Sequence, residues 1–346
     1  MARIVVAGAG SVGASIAYHL ALAGARDVVL ADRAEVASGA TGKAMGGFRQ
    51  QFSSAAEVAL ARASLPLFTE LGAPLIEQVG YLFLATSDEG WTELQARAEM
   101  QERLGVPVEK VDPARVAGLR TDDVHGAVAC WEDGVAEPAA VTRELVRRAT
   151  ELGVEVREHT DARAVERDVL VIACGAASPG LHAGLPISPL CRQLVDVGPI
   201  AGLPADLPMT IEDETTFHFR RRGDTLRLAM TEPTARWTSE EVVDDALVDD
   251  WRARLAHRYP PAADAPVIRA WAGLYDMTPD AHPVIGWIED AVYAACGFSG
   301  HGFMQSPAVG RAVAAELLSR EPELDLAPYR LARFGRAMSV REDVVL

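Results

Sequence analysis

The chain has 346 residues, enough for two domains or one large one, and its 49% hydrophobic and 24% charged residues are ordinary for a globular protein. Its formal net charge of −16 denies it the positive footprint that nucleic acid or an anionic membrane surface requires. No apolar run approaches the roughly 20 residues of a membrane span, and Met1 leads almost directly into a strand-like run, so no leader segment is expected and the expected location is the cytoplasm.

Ile4–Ala7 reads as a buried strand, Ser11–Ala23 as a helix, and Val28–Ala31 as a second buried strand ending in Asp32. Between strand and helix lie Gly8, Gly10 and Gly13 in G-x-G-x-x-G spacing. In this spacing each glycine has its own part. Gly8 turns the chain, Gly10 admits a pyrophosphate to the backbone, and Gly13 lets the helix pack onto the strand. The helix N-terminus then offers free N–H groups to the phosphates. Asp32 is an acceptor for ribose hydroxyls and repels a 2′-phosphate, which disfavours NADP. FAD and NAD both remain open at this point.

Arg33–Ser54 is rich in Gly, Ala and Ser and reads as a short helix start and then a loop beside the cofactor. Ala55–Glu70 and Glu89–Leu104 have helical spacing; Tyr81–Ala85 and Val124–Cys130 read as strands. Asp133-Gly134 marks a turn, and Pro138 opens the helix Ala139–Leu152, in whose first turn proline is tolerated. Val154–Arg157 and Asp168–Ala173 follow as strands, the second running into Cys174 and Gly175. Only about a dozen residues separate these two strands, too few for a crossover helix, so they are expected in one sheet with their link on its edge. Arg192–Val197, Thr216–Arg221 and Thr225–Met230 alternate as an antiparallel sheet with one exposed face does, with Arg222-Gly223-Asp224 as a hairpin turn. Asp244–Tyr259 reads as an amphipathic helix and Val267–Tyr275 as a strand. A βα pattern then returns in Val292–Ala295, Gly297–Gly302 and the helix Ser306–Ser319.

Two patterns therefore interleave. The expected fold class is mixed α/β, with a Rossmann-like nucleotide-binding domain drawn from 1–80, 135–185 and 285–335. An antiparallel-sheet substrate domain drawn from 81–134 and 186–280 is inserted into it, and 336–346 is expected to be a charged, loosely attached tail. The four cysteines, Cys130, Cys174, Cys191 and Cys296, have no metal-ligand spacing and read as reduced interior residues, so neither a disulfide framework nor a metal site is expected. Lysine occurs only at Lys43 and Lys110, so any role that needs an amine has few candidates.

The second glycine loop, Gly297-Phe298-Ser299-Gly300-His301-Gly302-Phe303, lies after a strand and before a helix. A nest of backbone N–H groups at a helix start suits the pyrimidine end of a flavin, where negative charge grows on reduction. Taken with the loop SGATGKAMGGFRQQFS, the strand VLVIACGAAS and the block GLYDMTPDAHPVIG followed by ACGFSGHGFMQSPAVGR, the chain resembles the D-amino-acid oxidase superfamily of flavoproteins. Within it the resemblance is to the branch of sarcosine oxidases, dimethylglycine dehydrogenases and proline dehydrogenase β-subunits.

The resemblance implies FAD as cofactor and hydride transfer from the carbon of a C–N bond to flavin N5, giving an imine. It implies that Gly8, Gly10, Ser11, Val12, Gly13, Asp32 and Arg33 hold the dinucleotide part, and that Ala162 lies on the adenine side. Thr41, Lys43, Ala44, Met45, Gly46, Gly47, Phe48 and Arg49 would run along the ring, with Cys174, Gly175 and Gly273 as further contacts. Gly300, His301, Gly302, Phe303 and Met304 fall at the pyrimidine end. Arg49, Lys43, His301 and Tyr275 are the candidates for catalysis, and His218 is a further orienting group.

Departures from the family refine the chemistry. Gly273 and Lys43 stand where relatives carry the cysteine or histidine that binds flavin covalently, so noncovalent FAD is expected. Phe52 and Met304 stand where sarcosine oxidases grip a substrate carboxylate. Either the substrate lacks that group or Arg49, Arg192, Arg220 or Arg227 holds it instead. Arg227 replaces the oxygen-activating lysine, a role that Lys43 could fill. The expected function is oxidation of a small amine or amino acid (sarcosine, proline or D-amino-acid-like), with oxygen or a redox protein as electron acceptor and an oligomer possible. The alternatives are a 2-hydroxy-acid oxidoreductase, or a flavin-binding subunit of a larger complex with little activity of its own.

Overall fold

A computed structural model of the chain describes residues 2–335 and 341–346. Its first sheet has six strands in the order Val284–Glu289, Val292–Cys296, Val169–Ile172, Ile4–Ala7, Val28–Ala31 and Glu155–Arg157. All neighbours are parallel except the first pair. The central strands are apolar throughout and fully buried, as strands covered on both faces must be. Helices Ser11–Leu22, Pro138–Glu151 and Gly302–Leu317 share one interior cluster with this sheet. Glu155–Arg157 and Val169–Ile172 do lie in one sheet, and the short Glu155–Arg157 forms its edge beside Val28–Ala31.

The second sheet has nine strands, mostly antiparallel, all drawn from residues 81–130 and 188–277. Its longest pair is Ser188–Val197 against Val267–Met277. The hairpin His218–Arg222/Thr225–Ala229 closes through Gly223-Asp224, where Gly223 takes φ +64°. One expectation fails here: Leu190–Val197 is buried on both faces, not exposed on one. Arg192, Gln193 and Leu194 line a cavity, while Val195 and Val197 pack with Trp251 and Leu255 of the helix Asp245–Arg258. A third, three-stranded sheet joins Gly47–Phe48, Gly134–Ala136 and Ile76–Glu77. The last helix also starts four residues earlier than its spacing predicts, at Gly302, because a glycine at the first helical position avoids most of the cost that it carries in a helix interior.

The tail differs most from expectation. Of residues 336–346, the first five lie outside the described residues. Residues 341–346 are not loosely attached: Glu342 is fully buried and Val344 is 8% exposed. The reason is local, since Glu342 finds backbone N–H donors at Ser53 and Ser54, and the side chains of Val344 and Leu346 join an interior cluster with Phe52 and Tyr81.

Candidate functional site

A cavity of about 640 Å³ is lined by residues of both large sheets. At one end lies the first glycine loop. Gly8 has φ +103°, and a Cβ there would sit 2.4 Å from the Ala173 carbonyl oxygen; a Cβ on Gly13 would sit 1.8 Å from that of Gly8. Only glycine lets the helix Ser11–Leu22 settle this close to its strand. That helix starts at Gly10 with no side-chain cap and no acid in its first turn, and Thr41 Oγ1 accepts the Ser11 N–H at 3.0 Å. The Asp32 carboxylate accepts the Ala9 N–H at 2.7 Å and the Ala34 N–H at 2.9 Å. Each oxygen keeps a lone pair for a hydroxyl.

The helix Gly302–Leu317 also begins without a side-chain cap or an acid, at His301. Two unfilled helix N-termini therefore open on one cavity, the arrangement that favours anionic groups at two points of one ligand. The loop before the second helix is tied from behind. The Asp276 carboxylate accepts the Gly297 N–H at 2.7 Å and its carbonyl accepts the Ser299 N–H at 3.2 Å. Burial pushes the Asp276 carboxyl up although these amides oppose it. Ser299 and Gly300 turn the chain with φ of +52° and +94°. The residues present thus fit the flavin dinucleotide that the motifs imply.

The opposite end carries buried charge. Arg49, Arg192, His218 and His301 are each less than 10% exposed and line the cavity with Tyr275. The Arg49 guanidinium donates to the carbonyls of Gln51 and Val344 and lies 4.0 Å from the Phe52 ring centre. Among the described residues no carboxylate pairs with it. Arg192 pairs with Glu232 and lies 5.7 Å from the Tyr275 ring centre. The Tyr275 hydroxyl donates to the Leu346 carbonyl at 2.7 Å. Burial pulls His218 down to about 4, and its Nδ1 lies 2.7 Å from the Thr216 carbonyl, which leaves Nε2 as an acceptor. Burial, then the Arg49 charge, hold His301 well below the ordinary imidazole range. Among the described residues, four buried polar atoms around this end have no hydrogen-bond partner: Arg49 Nε, Arg192 Nε and both ring nitrogens of His301.

Most sequence-predicted site residues line this cavity: Gly8, Gly10, Ser11, Val12, Asp32, Arg33, Thr41, Lys43, Ala44, Met45, Gly47, Arg49, Ala162, Cys174, Gly175, Gly273, Tyr275 and Gly300 to Met304. Gly13 serves packing, as its spacing implies. Gly46 and Phe48 do not line the cavity. The strand Gly47–Phe48 alternates, so Gly47 faces the cavity and Phe48 stacks on Phe68 on the other side. Arg220 and Arg227 also fall outside the lining. They are cross-strand neighbours held by Glu137 and Asp196, and they donate to the Met45 and Ala44 carbonyls. Their part is to brace the loop that carries Ala44 and Met45 from behind. Lys43 Nζ donates to Glu241 at 2.6 Å, and its side chain lies against Gly273.

Tyr81, Gln193, Met209, Glu241 and Leu346 line the cavity without any motif to announce them. Tyr81 and Met209 come from strands whose inner face only the sheet pairing defines, and Gln193 borders the cavity while its side chain bonds the Asp244 backbone. Tyr81 alone carries a weak signal, as the polar start of the apolar run Tyr81–Ala85.

Comparison with known proteins agrees with this geometry. The chain is 25% identical to 4-methylaminobutanoate oxidase (formaldehyde-forming) of Paenarthrobacter nicotinovorans over 96% of its own length and 46% of that protein's, so it spans under half of that relative. It is 27% identical to glycine oxidase of Pseudomonas aeruginosa, over 94% of this chain and 98% of the other. Among solved structures it is similar to L-proline dehydrogenase from P. horikoshii, with a TM-score of 0.90, 28% identity, and 98% and 99% of the two chains covered. Residues 3–316 match the family model described as DAO, FAD dependent oxidoreductase, and the chain belongs to that family.

Proposed function

We propose that this FAD-dependent oxidoreductase oxidises the C–N bond of a small amine that also carries a carboxylate, giving an imine that hydrolyses. Three similar proteins are named for 4-methylaminobutanoate, glycine and L-proline, and each of these molecules holds an amine and a carboxylate. The observation that carries the reading is the buried end of the cavity, where Arg49 has no carboxylate partner among the described residues and where Arg49 Nε and Arg192 Nε are unpaired. A buried cation with no direct carboxylate partner is costly, since the nearby Glu342 and Asp133 charges oppose only part of the effect of burial, and a bound carboxylate reduces that cost. Arg49, Arg192 and Tyr275 would hold it.

FAD, held by the two glycine loops and Asp32, supplies the two-electron acceptor when bound. The chain's own residues do the rest. Arg49 and Arg192 orient the substrate by its carboxylate and lower the amine pKa by charge repulsion, aided by desolvation. His301 stays neutral at pH 7, so one ring nitrogen carries a proton and can donate while the other can accept a hydrogen bond. His218 Nε2 offers a second acceptor. Cofactor attachment is noncovalent on this reading. Gly273 has no nucleophile, and burial pushes the two lining thiols up, Cys174 to about 12 and Cys296 further. A thiolate at either place is therefore disfavoured.

The test is anaerobic mixing of the yellow holoprotein with glycine, sarcosine, L-proline, D-proline, 4-methylaminobutanoate and lactate. Bleaching by one or more of the amines, lost or strongly weakened in Arg49→Met, supports the reading. Bleaching by lactate alone, or equal bleaching in Arg49→Met, overturns it. Acid precipitation of the holoprotein should leave a colourless pellet, with all flavin in the supernatant.

A further inference from the structure

The segment 341–346 enters the same end of the cavity. Glu342 anchors it: this fully buried carboxylate accepts the Ser53 N–H at 3.0 Å, the Ser53 hydroxyl at 2.8 Å, the Ser54 N–H at 3.0 Å and the Val344 N–H at 3.0 Å. Those serines lead into the helix Ala55–Leu71, whose positive end favours a carboxylate. The Glu342 N–H donates to the Asp280 carbonyl at 3.2 Å. Beyond the anchor lies the tip. The Val344 carbonyl accepts from Arg49 at 2.5 Å, the Leu346 carbonyl accepts from Tyr275 at 2.7 Å, and Leu346 lines the cavity.

The tip therefore engages two of the three groups that the proposed function assigns to the substrate carboxylate. We propose that residues 342–346 form a strap that competes with the substrate carboxylate for Arg49 and Tyr275, and that Leu346 and the two carbonyls set which substrates enter and how tightly. The inference rests on the carboxylate reading of Arg49. Its logic is intramolecular. A tethered occupant acts at high effective concentration, and a site available only part of the time binds its ligand more weakly by that fraction. A carboxylate offers Arg49 a full charge, whereas the strap offers it the neutral Val344 carbonyl, so a suitable substrate can displace the strap there. The anchor lies outside the cavity lining, so the tip can leave while Glu342 holds.

The experiment is calorimetric titration of the FAD-loaded protein with pyrrole-2-carboxylate, a planar, unreactive carboxylate. Two variants are compared with the unaltered chain: deletion of residues 344–346, which keeps the anchor, and Glu342→Ala, which loosens it. Both should bind the probe more tightly, the deletion by about tenfold or more, with FAD content unchanged. A site merely damaged by deletion would bind more weakly, so the direction separates competition from a structural role. Equal Kd values in all three proteins, or weaker binding in both variants, overturn the strap and leave the carboxylate reading standing. Absence of probe binding in every protein, including the deletion, overturns the carboxylate reading and the strap with it. Because the two variants act on different parts of the strap, poor folding of one leaves the other decisive.

Discussion

The two ends of the cavity are built on opposite terms. The dinucleotide end is made of backbone, with glycines at Gly8, Gly10 and Gly13, one uncapped helix start, and one carboxylate at Asp32. The other end is made of buried charged and aromatic side chains, Arg49, Arg192, His218, Tyr275 and His301, brought from five separated segments. Backbone recognition depends on close approach and tolerates almost no added atom. Side-chain recognition depends on charge and tolerates changes of size. On the proposed reading, the first end anchors the cofactor and the second selects what is oxidised.

Mutations at the two ends should therefore fail in different ways. The largest effect is expected for Gly13→Val. Its Cβ would enter the Gly8 carbonyl, so helix and strand must separate, and a cost above about 3 kcal/mol is expected from overpacking at a fixed backbone contact. The purified protein should be colourless, with a strongly lowered melting temperature; a yellow protein with unchanged melting would show that the contact can relax. Arg49→Met should instead leave FAD content intact and raise KM by on the order of a hundredfold, the effect of removing a charged hydrogen-bond donor from a buried anion site. Arg192→Met should cost less, because Arg192 already has Glu232 as a partner. Loss of FAD in Arg49→Met would blur the contrast between the ends.

The same contrast explains what is legible in the sequence. Gly8 to Asp32 form one short unit whose spacing directly encodes a turn, a close approach and a terminal acid, so the first end is readable from the order of residues alone. The second glycine loop is legible for the same reason. Arg49 and His301 stand out because they adjoin such loops. Arg192 cannot be separated from Arg220 and Arg227 by sequence, since all three are strand arginines. Only the cross-strand register, which gives Arg220 to Glu137 and Arg227 to Asp196, removes the last two. The burial of Glu342 and Val344 is illegible because Arg341, Glu342 and Asp343 look like a solvated run. Nothing local predicts that Glu342 meets the Ser53 and Ser54 amides nearly three hundred residues away.

Charge burial also gives the fold a pH dependence. His218 and His19 are pulled down to about 4 by burial, and His301 is well below the ordinary range. In the unfolded chain these imidazoles bind protons near pH 6.5. Between about pH 4 and 6.5 the unfolded state therefore holds more protons, and stability falls as pH drops through that window. Asp133, pushed up to about 7 by burial, and Glu57 and Asp276, raised by burial against their hydrogen bonds, act in the opposite sense. Three imidazoles against three carboxyls offset one another to first order, so stability should change by less than about 1 kcal/mol per pH unit between pH 4 and 6.5. Urea unfolding at pH 4.5, 5.5 and 6.5 should show that shallow dependence, and His218→Gln, which removes one imidazole, should tilt it toward lower stability at higher pH. A wild-type slope well above about 1 kcal/mol per pH unit in either direction would show that one class of group is in control.

The smallest effect is expected where the two ends are joined at the surface. Lys43, on the flavin loop, reaches across to Glu241 of the inserted sheet region, and both side chains are about a third exposed. Such a pair contributes only about 0–1 kcal/mol, because water screens it and two long side chains must be held. A double-mutant cycle with Lys43→Met and Glu241→Gln should give a coupling below about 1 kcal/mol in urea unfolding. Its value lies in the comparison it permits. Paired with Glu241, the Lys43 charge is largely compensated; in Glu241→Gln it is released at the cavity wall beside Gly273. If Lys43 is the cation that promotes electron transfer to oxygen, Glu241→Gln should speed consumption of oxygen during turnover, and Lys43→Met should slow it whether or not Glu241 is present. Equal oxygen rates in all four proteins of the cycle would reduce the pair to a weak surface tie and leave Arg49 as a buried cation of the site with no direct carboxylate partner among the described residues.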